Sequence, residues 1–244
     1  LKELPDKIEQ IVYTQMEPEQ RKIYEAHALQ LMEQLKKQSK EEIQKGKLQI
    51  LAELTKLRQI CCSPEMLYEN YKETACKLDA CMELVNQAIE GNHKILIFSQ
   101  FTSIFPLLGE YLKQQKITYY ELTGQTSKEE RIRLVEQFNS NDVPVFLISL
   151  KAGGTGLNLT SASIVVHFDP WWNLAAQNQA TDRAHRIGQE KQVIVFKLIA
   201  QNTIEEKIIE LQEQKQKLAN QILTGEDISV SSLTKSDFMK ILEF

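Results

Sequence analysis

Two arginines, Arg183 and Arg186, follow Gln179 at four and seven positions in the stretch Gln179-Ala-Thr-Asp-Arg-Ala-His-Arg-Ile-Gly-Gln189. A guanidinium is a planar, permanently charged fork, and it suits the oxygens of a transferring phosphoryl group better than an ammonium does. At helical spacing the two guanidinium groups should share one helix face, just ahead of the turn that Gly188 allows. The pattern therefore points to phosphate chemistry. The same residues also fit a solvated helix end on which Asp182 and Glu190 pair with the arginines.

A second candidate lies upstream. Lys151-Ala-Gly-Gly-Thr-Gly-Leu-Asn158 follows an apolar run. Its glycines, Gly154 and Gly156 among them, permit backbone shapes that aim successive N–H groups at an anion. A plain tight turn would look the same. Asn158 could hydrogen-bond a ribose hydroxyl or orient the loop itself. Ser99 and Gln100 follow another apolar run, Thr123 and Gly124 a third, and with Lys151 they are small or polar groups able to hold a sugar-phosphate backbone without reading bases. Each is also an ordinary cap or turn residue; Thr102 and Ser103 are expected to cap the next helix. Trp171 and Trp172 read as core or interface anchors rather than base-stacking platforms.

Absences sharpen the picture. A phosphate-binding P-loop needs Gly-Lys-Ser or Gly-Lys-Thr, and the single Gly-Lys step, Gly46-Lys47, is followed by Leu48. Asp169 follows an apolar run as a magnesium-binding aspartate would, but Pro170 and Trp171 stand where a second acid would activate water. No metal ligand is therefore expected in this chain. A dinucleotide-binding dehydrogenase is disfavoured because the glycine loop lacks the G-x-G-x-x-G spacing.

The elements that must position these residues change character near residue 92. Before it, periodic apolar residues predict helices over about 18–38, 46–60 and 77–90, the last closed by Gly91 and Asn92, with an exposed connection or helical tip over 36–47. After it, Ile95–Phe98, Ile117–Tyr120, Val143–Leu150, Ile164–Phe168 and Val193–Leu198 are short continuous apolar runs, which suit strands buried on both faces. Ser127 with Glu130 and Thr203 with Glu206 fit capping boxes of intervening helices. The order is β-α-β-α, hence an α/β fold with a mostly parallel, doubly wound sheet. The expected division is 1–91 as linker and helical protrusion, 92–200 as the α/β lobe, and 201–244 as a C-terminal helical extension. That extension holds a helix over about 204–220 and an amphipathic end, Phe238 to Phe244, expected to dock back on the core or on a missing partner domain.

In open α/β sheets ligands bind beyond the carboxyl ends of the strands, where all of these candidates fall. The whole is 244 residues, 42% apolar, with a net charge of −4, so nucleic-acid binding would need a local basic patch. Cys61, Cys62, Cys76 and Cys81 lack zinc-ligand spacing and read as buried or half-buried thiols of a reducing compartment. No apolar run is long enough to span a bilayer and no signal segment stands at the start, so an intracellular protein is expected. Beginning at Leu1, the chain is expected to be a piece of a longer one.

Together, Ile95 to Phe101, Lys151 to Asn158, Asp169 to Asn173 and Gln179 to Gln189 resemble the C-terminal RecA-like lobe of the Swi/Snf family of DNA-dependent ATPases. Leu57-Arg-Gln-Ile-Cys-Cys-Ser-Pro64 is similar to the segment that precedes that lobe. Leu174, where proline commonly follows Trp-Asn, and Ser63-Pro64, in place of a common His-Pro, depart from the pattern. The resemblance implies a two-lobed motor with ATP in the cleft and duplex DNA across both lobes. The first lobe would hold the P-loop and magnesium; Gln179, Arg183 and Arg186 would match the sixth motif, with both arginines as catalytic fingers on the γ-phosphate. Gly154, Gly156 and Asn158 would match the fifth motif, at the nucleotide. Ser99, Gln100, Thr123, Gly124 and Lys151 would track one DNA strand. The implied partners are the first lobe, double-stranded DNA and a DNA-bound protein target, in a bacterial cytoplasm or nucleoid or a eukaryotic nucleus. A non-catalytic nucleotide- or nucleic-acid-binding adaptor is the alternative.

Overall fold

The computed structural model describes residues 5–153, 156–221 and 234–243. Six strands form one all-parallel sheet: β1 (Lys7–Thr14), β2 (Lys94–Ser99), β3 (Tyr119–Leu122), β4 (Val145–Ser149), β5 (Ala162–His167) and β6 (Val193–Ala200), in the order β1-β6-β5-β2-β4-β3. Helices cover both faces, as expected of a RecA-like α/β fold. The central strands show why continuous apolar runs were needed: β4 and β5 are buried at every position and β2 at all but its first.

The winding direction reverses around β2. From β2 the chain goes by α5 (Phe105–Gln114) to β3, then by α6 (Lys128–Ser140) to β4, which pairs with β2; from β4 it passes by α7 (Leu150–Gly153) to β5 on the other side of β2. Ser99 lies opposite Ser149, Leu122 opposite Ile148 and Phe98 opposite His167. This register brings four strand ends, and the loops that follow them, side by side.

Two expectations shift. The third strand begins at Tyr119 rather than Ile117, because α5 is closed by Lys116 at φ +58° and by a bond from Ile117 N–H to the Leu112 carbonyl, which uses up the run's first residues. The helical reading of the first ninety-one residues contains no strand, yet β1 forms the sheet edge beside β6. Its exposed, polar-interrupted pattern is that of an edge strand, and Glu9 bonds Lys197 at 2.8 Å and Lys7 at 3.2 Å. Burial raises the Glu9 carboxyl, but the hydrogen bonds and charges of Lys197 and then Lys7 outweigh it and hold the group below its ordinary value.

The chain packs as two compact units, residues 1–13 with 77–199 and residues 14–76 with 200–244. The first contains nearly all of the sheet and the core built on Leu96, Phe98, Phe138, Phe146 and Val165. The second is helical: α1 (Pro18–Lys37), α2 (Lys40–Lys45), α3 (Lys47–Cys62), α9 (Ile204–Gln221) and α10 (Lys235–Leu242). Gln20 in α1 donates to the Ile60 carbonyl at 2.9 Å, and Tyr24 accepts the Ile204 N–H at 2.7 Å. Two full capping boxes are Ser39 with Glu42 and Thr234 with Asp237. Ser127 caps α6 through the Glu130 N–H alone, and at Thr203 the hydroxyl takes the Glu205 N–H while Glu206 takes that of Asn202. The tail docks within its unit: Phe238, Ile241 and Leu242 are buried. Cys61, Cys62 and Cys81 are buried and Cys76 is half-buried. Among the described residues no helix is long and apolar enough to cross a membrane.

Candidate functional site

At the carboxyl end of β2, Ser99 is buried and donates to Asp169 Oδ1 at 2.5 Å, and the same oxygen accepts the Gln100 N–H at 3.1 Å. The Ser99 hydroxyl also accepts the Phe101 N–H at 3.0 Å. Asp169 is itself fully buried, and its carboxylate fixes this loop. Ser99 thus shapes the backbone around Gln100 from inside. The expected caps are not formed: Thr102 and Ser103 lie inside a short 3-10 turn, and the N-cap positions of that turn and of α5 fall on Phe101 and Ile104, which have no side-chain acceptor.

Thr123 and Gly124 form a turn after β3, with the Thr123 N–H bonded to Thr126 Oγ1 at 3.0 Å and Thr123 Oγ1 accepting the Gln125 N–H at 3.3 Å. Gly124 is exposed and a side chain there would meet nothing within 4 Å. Arg131, which the sequence reading does not single out, clamps this turn to the next one. Its guanidinium donates to the carbonyls of Thr126 at 3.1 Å, Thr123 at 3.3 Å and Ala152 at 3.5 Å. Thr123, Gly124 and exposed Lys151 are thereby held as neighbours. An open cavity of about 640 Å³ adjoins the clamp, lined by Arg131, Lys128, Gly156 and Asn158 among others.

Gly154 lies outside the described residues. Gly156 is exposed at φ +53°, where glycine is favoured, and Asn158 is exposed while its carbonyl accepts from Asn139 Nδ2 at 2.7 Å. Asn139 also accepts the Ser161 N–H at 3.3 Å, so α6 fixes both ends of the segment that leaves the glycine loop.

Asn173 caps α8 (Leu174–Thr181), its Oδ1 accepting the Ala176 N–H at 3.1 Å, so the helix starts cleanly with leucine in the first position that proline also suits. Trp171 packs against the core and donates its backbone N–H to Gln177 Oε1 at 3.1 Å. The expectation that Arg183 and Arg186 share a helix face is corrected here. The helix stops at Thr181 and residues 182–188 are turns. Leu159 N–H donates to the Arg183 carbonyl at 3.0 Å, and the local bonds tighten to Arg183 N–H on Ala180 O and Ala184 N–H on Thr181 O, so the α pattern does not continue. Gly188 at φ +105° then reverses the chain and lets Gln189 reach the carbonyls of Ala162 at 2.8 Å and Ala184 at 3.0 Å. His185 Nε2 donates to the Pro5 carbonyl at 2.7 Å.

The two arginines accordingly differ. Arg183 is buried, and burial followed by the nearby Arg186 charge pulls its guanidinium below the ordinary value. Arg186 is exposed and forms no ion pair among the described residues. Gln179 is exposed on α8 with no side-chain hydrogen bond among the described residues. The glycine-loop exit and the arginine turn are joined through Leu159 and Arg183; Thr123, Gly124 and Lys151 are gathered by Arg131. A second residue beyond sequence reasoning is Lys77 in α4 (Cys76–Glu90), fully buried, whose Nζ donates to the Phe168 carbonyl at 3.0 Å beside Asp169. Its only signal was a lysine within an otherwise apolar helix face.

A RecA-like lobe whose arginine turn is bonded to the segment leaving its glycine loop is the class that fold and site define. The description "helicase conserved C-terminal domain" matches residues 76–188 and "SNF2-related domain" matches residues 1–66. The Swi2/Snf2 ATPase C-terminal domain of Sulfolobus solfataricus superposes with a TM-score of 0.78 at 33% identity, covering 98% of this chain and 99% of that one. The core of the same ATPase in complex with double-stranded DNA gives 0.80 at 34%, covering 99% of this chain and 51% of that one. An uncharacterized ATP-dependent helicase of Mycoplasma pneumoniae is 40% identical over all of this chain and 23% of its own length. The human chromatin-remodeling ATPase INO80 is 40% identical over 68% of this chain and 11% of its own. This chain belongs to the Swi2/Snf2 family of ATPases, as a C-terminal lobe. It spans a quarter or less of the length of these curated relatives.

Proposed function

We propose that this chain is the second motor lobe of an ATPase that couples ATP hydrolysis to translocation along double-stranded DNA and so remodels protein–DNA complexes. The observation that carries the reading is the bond from Leu159 N–H to the Arg183 carbonyl, which places the arginine turn against the exit of the glycine loop at the carboxyl ends of the strands. Arg186, exposed and without an ion pair among the described residues, is the side chain best able to reach a γ-phosphate from a closing partner lobe. Arg183, buried behind it, adds positive field and steadies the turn. Gly156, Asn158 and Gln179 line the nucleotide side, with Gly154 proposed alongside them.

Gln100, Thr123, Gly124 and Lys151 are proposed to follow one DNA strand, with Ser99 shaping the first of these loops from within. The superposition on a DNA-bound Swi2/Snf2 core and the similarity to a chromatin-remodeling ATPase support duplex DNA as track and a DNA-bound protein as target. Among the described residues no group of three or more acidic, histidine or cysteine side chains could hold a metal ion, and the Asp169 carboxylate is already engaged by Ser99 and Gln100. Magnesium is proposed to lie with the P-loop on the first lobe, where it would complete the nucleotide site that this lobe's arginines close. The lobe alone should be inactive, since an arginine finger does not position the attacking water. Cellular placement follows the track: bacterial cytoplasm and nucleoid, or nucleus.

In the full-length protein, Arg186→Ala should lower DNA-stimulated hydrolysis about 10³-fold and leave DNA binding largely intact, by analogy with other arginine fingers. A variant with undiminished turnover would remove Arg186 from this role.

A further inference from the structure

Thr181 is the last residue of α8 and is fixed through both its side chain and its backbone. Its Oγ1 lies 2.8 Å from His167 Nε2 and 3.4 Å from the Gln177 carbonyl, with His167 and Thr181 both buried. A hydroxyl can accept from an imidazole N–H and donate to a carbonyl at once, so the three groups form a directed chain when Nε2 carries the proton. At the other end, the Thr181 carbonyl accepts the N–H groups of Ala184 at 3.1 Å and His185 at 3.3 Å, which form the turn around Arg183. His167 is immobilised in turn: its ring stacks on Phe98 with centroids 5.8 Å apart, one residue before Ser99. Burial lowers the His167 pKa to about 3, so the ring stays neutral at ordinary pH.

We propose that His167 and Thr181 are positioning residues for Arg183, fixing from the end of β5 where α8 stops and the arginine turn begins. The proposal rests on the reading of Arg183 as part of the phosphate site. Neither residue reaches substrate; both act through the turn. Leu159 N–H donates to the Arg183 carbonyl, and His185 and Gln189 hold the later part of the turn, so a loosened Thr181 frees the start of the turn, just ahead of Arg183.

The test uses the full-length ATPase. Thr181→Val keeps the shape and removes the hydroxyl, whereas Thr181→Ser keeps the hydroxyl. Thr181→Val should lower DNA-stimulated kcat about tenfold with KM for ATP within about twofold, the pattern of a misplaced transition-state group. Thr181→Ser should restore kcat to within about twofold of the parent. In an Arg183→Lys background, Thr181→Val should have no further effect, because residues acting as a unit are not additive. Unchanged kcat in Thr181→Val, or an equal fall with and without intact Arg183, would overturn the proposal. Should Thr181→Val not fold, His167→Gln replaces it in the same cycle with the same two outcomes. Undiminished hydrolysis by Arg183→Lys and Arg183→Ala alone would overturn the parent reading and the proposal with it, and is told apart because it appears with Thr181 untouched.

Discussion

Replacing His167 with glutamine should flatten the acid side of the stability profile. The wild-type imidazole is buried and its pKa is lowered from 6.5 to about 3, first by burial and then by the charge of Lys197. In the unfolded chain the ring takes up a proton as pH falls through about 6.5, whereas in the folded chain it stays neutral until about pH 3. The unfolded state therefore binds about one more proton across that interval, and stability falls as pH falls through it. The stability is fully present above the unfolded value. Across the whole span the loss approaches about 4–5 kcal/mol, at about 1.4 kcal/mol for each pH unit. Between pH 7 and pH 5 it should already be about 2 kcal/mol, a large part of the stability of an ordinary domain. Urea unfolding of the wild type and of His167→Gln at pH 7, 6 and 5 isolates the effect. Carboxylates such as Glu9, whose pKa is lowered, also lose stability toward acid, but both proteins share them and they cancel in the difference. The variant should start less stable at pH 7, having lost the bond to Thr181, yet lose about 2 kcal/mol less on acidification. Equal losses in the two proteins would show that the folded-state ring titrates normally, and the reasoning from its burial would fail.

Two further outcomes follow from backbone and clamp geometry. Gly188→Ala should cost about 1–3 kcal/mol through backbone strain alone, because φ is +105° while the nearest atoms to an added Cβ, on Thr160, stand at an unstrained 3.9 Å. A denaturation midpoint unmoved by this change would mean that the turn relaxes freely. Arg131→Met should cost about 2–3 kcal/mol by removing a charged donor from three carbonyls, and amide exchange should quicken around Thr123–Thr126 and at Ala152 together. Faster exchange in only one of the two loops would show that Arg131 does not join them.

How much could be read from the chain depends on how local each signal is. The runs at 95–98 and 164–168 announced central strands because both faces of a parallel sheet need apolar cover, and the observed strands are buried almost throughout. The helices near 46–60 and 77–90 appeared within a residue or two of their expected ends, since periodicity and Gly91-Asn92 are local properties. β1 escaped that logic: an edge strand needs no continuous apolar run, and only its pairing with β6 makes it a strand.

The candidate site divides in the same way. Residue chemistry alone named the arginines, the glycine loop and the small polar residues after the strands, and their order along the chain carried the family resemblance. Spacing alone placed Arg183 and Arg186 on one helix face. The fold placed one inside and one outside, because Leu159 claims the Arg183 carbonyl and ends the helical pattern. Arg131, Asn139, Lys77, His167 and Thr181 carried little or no signal, since what each does depends on which carbonyl or ring the sheet register sets beside it. The sequence by itself determined which groups could meet a phosphate. Only the tertiary structure decided how they are aimed, because hydrogen bonds between residues tens of positions apart exist only once parallel strands have aligned their ends.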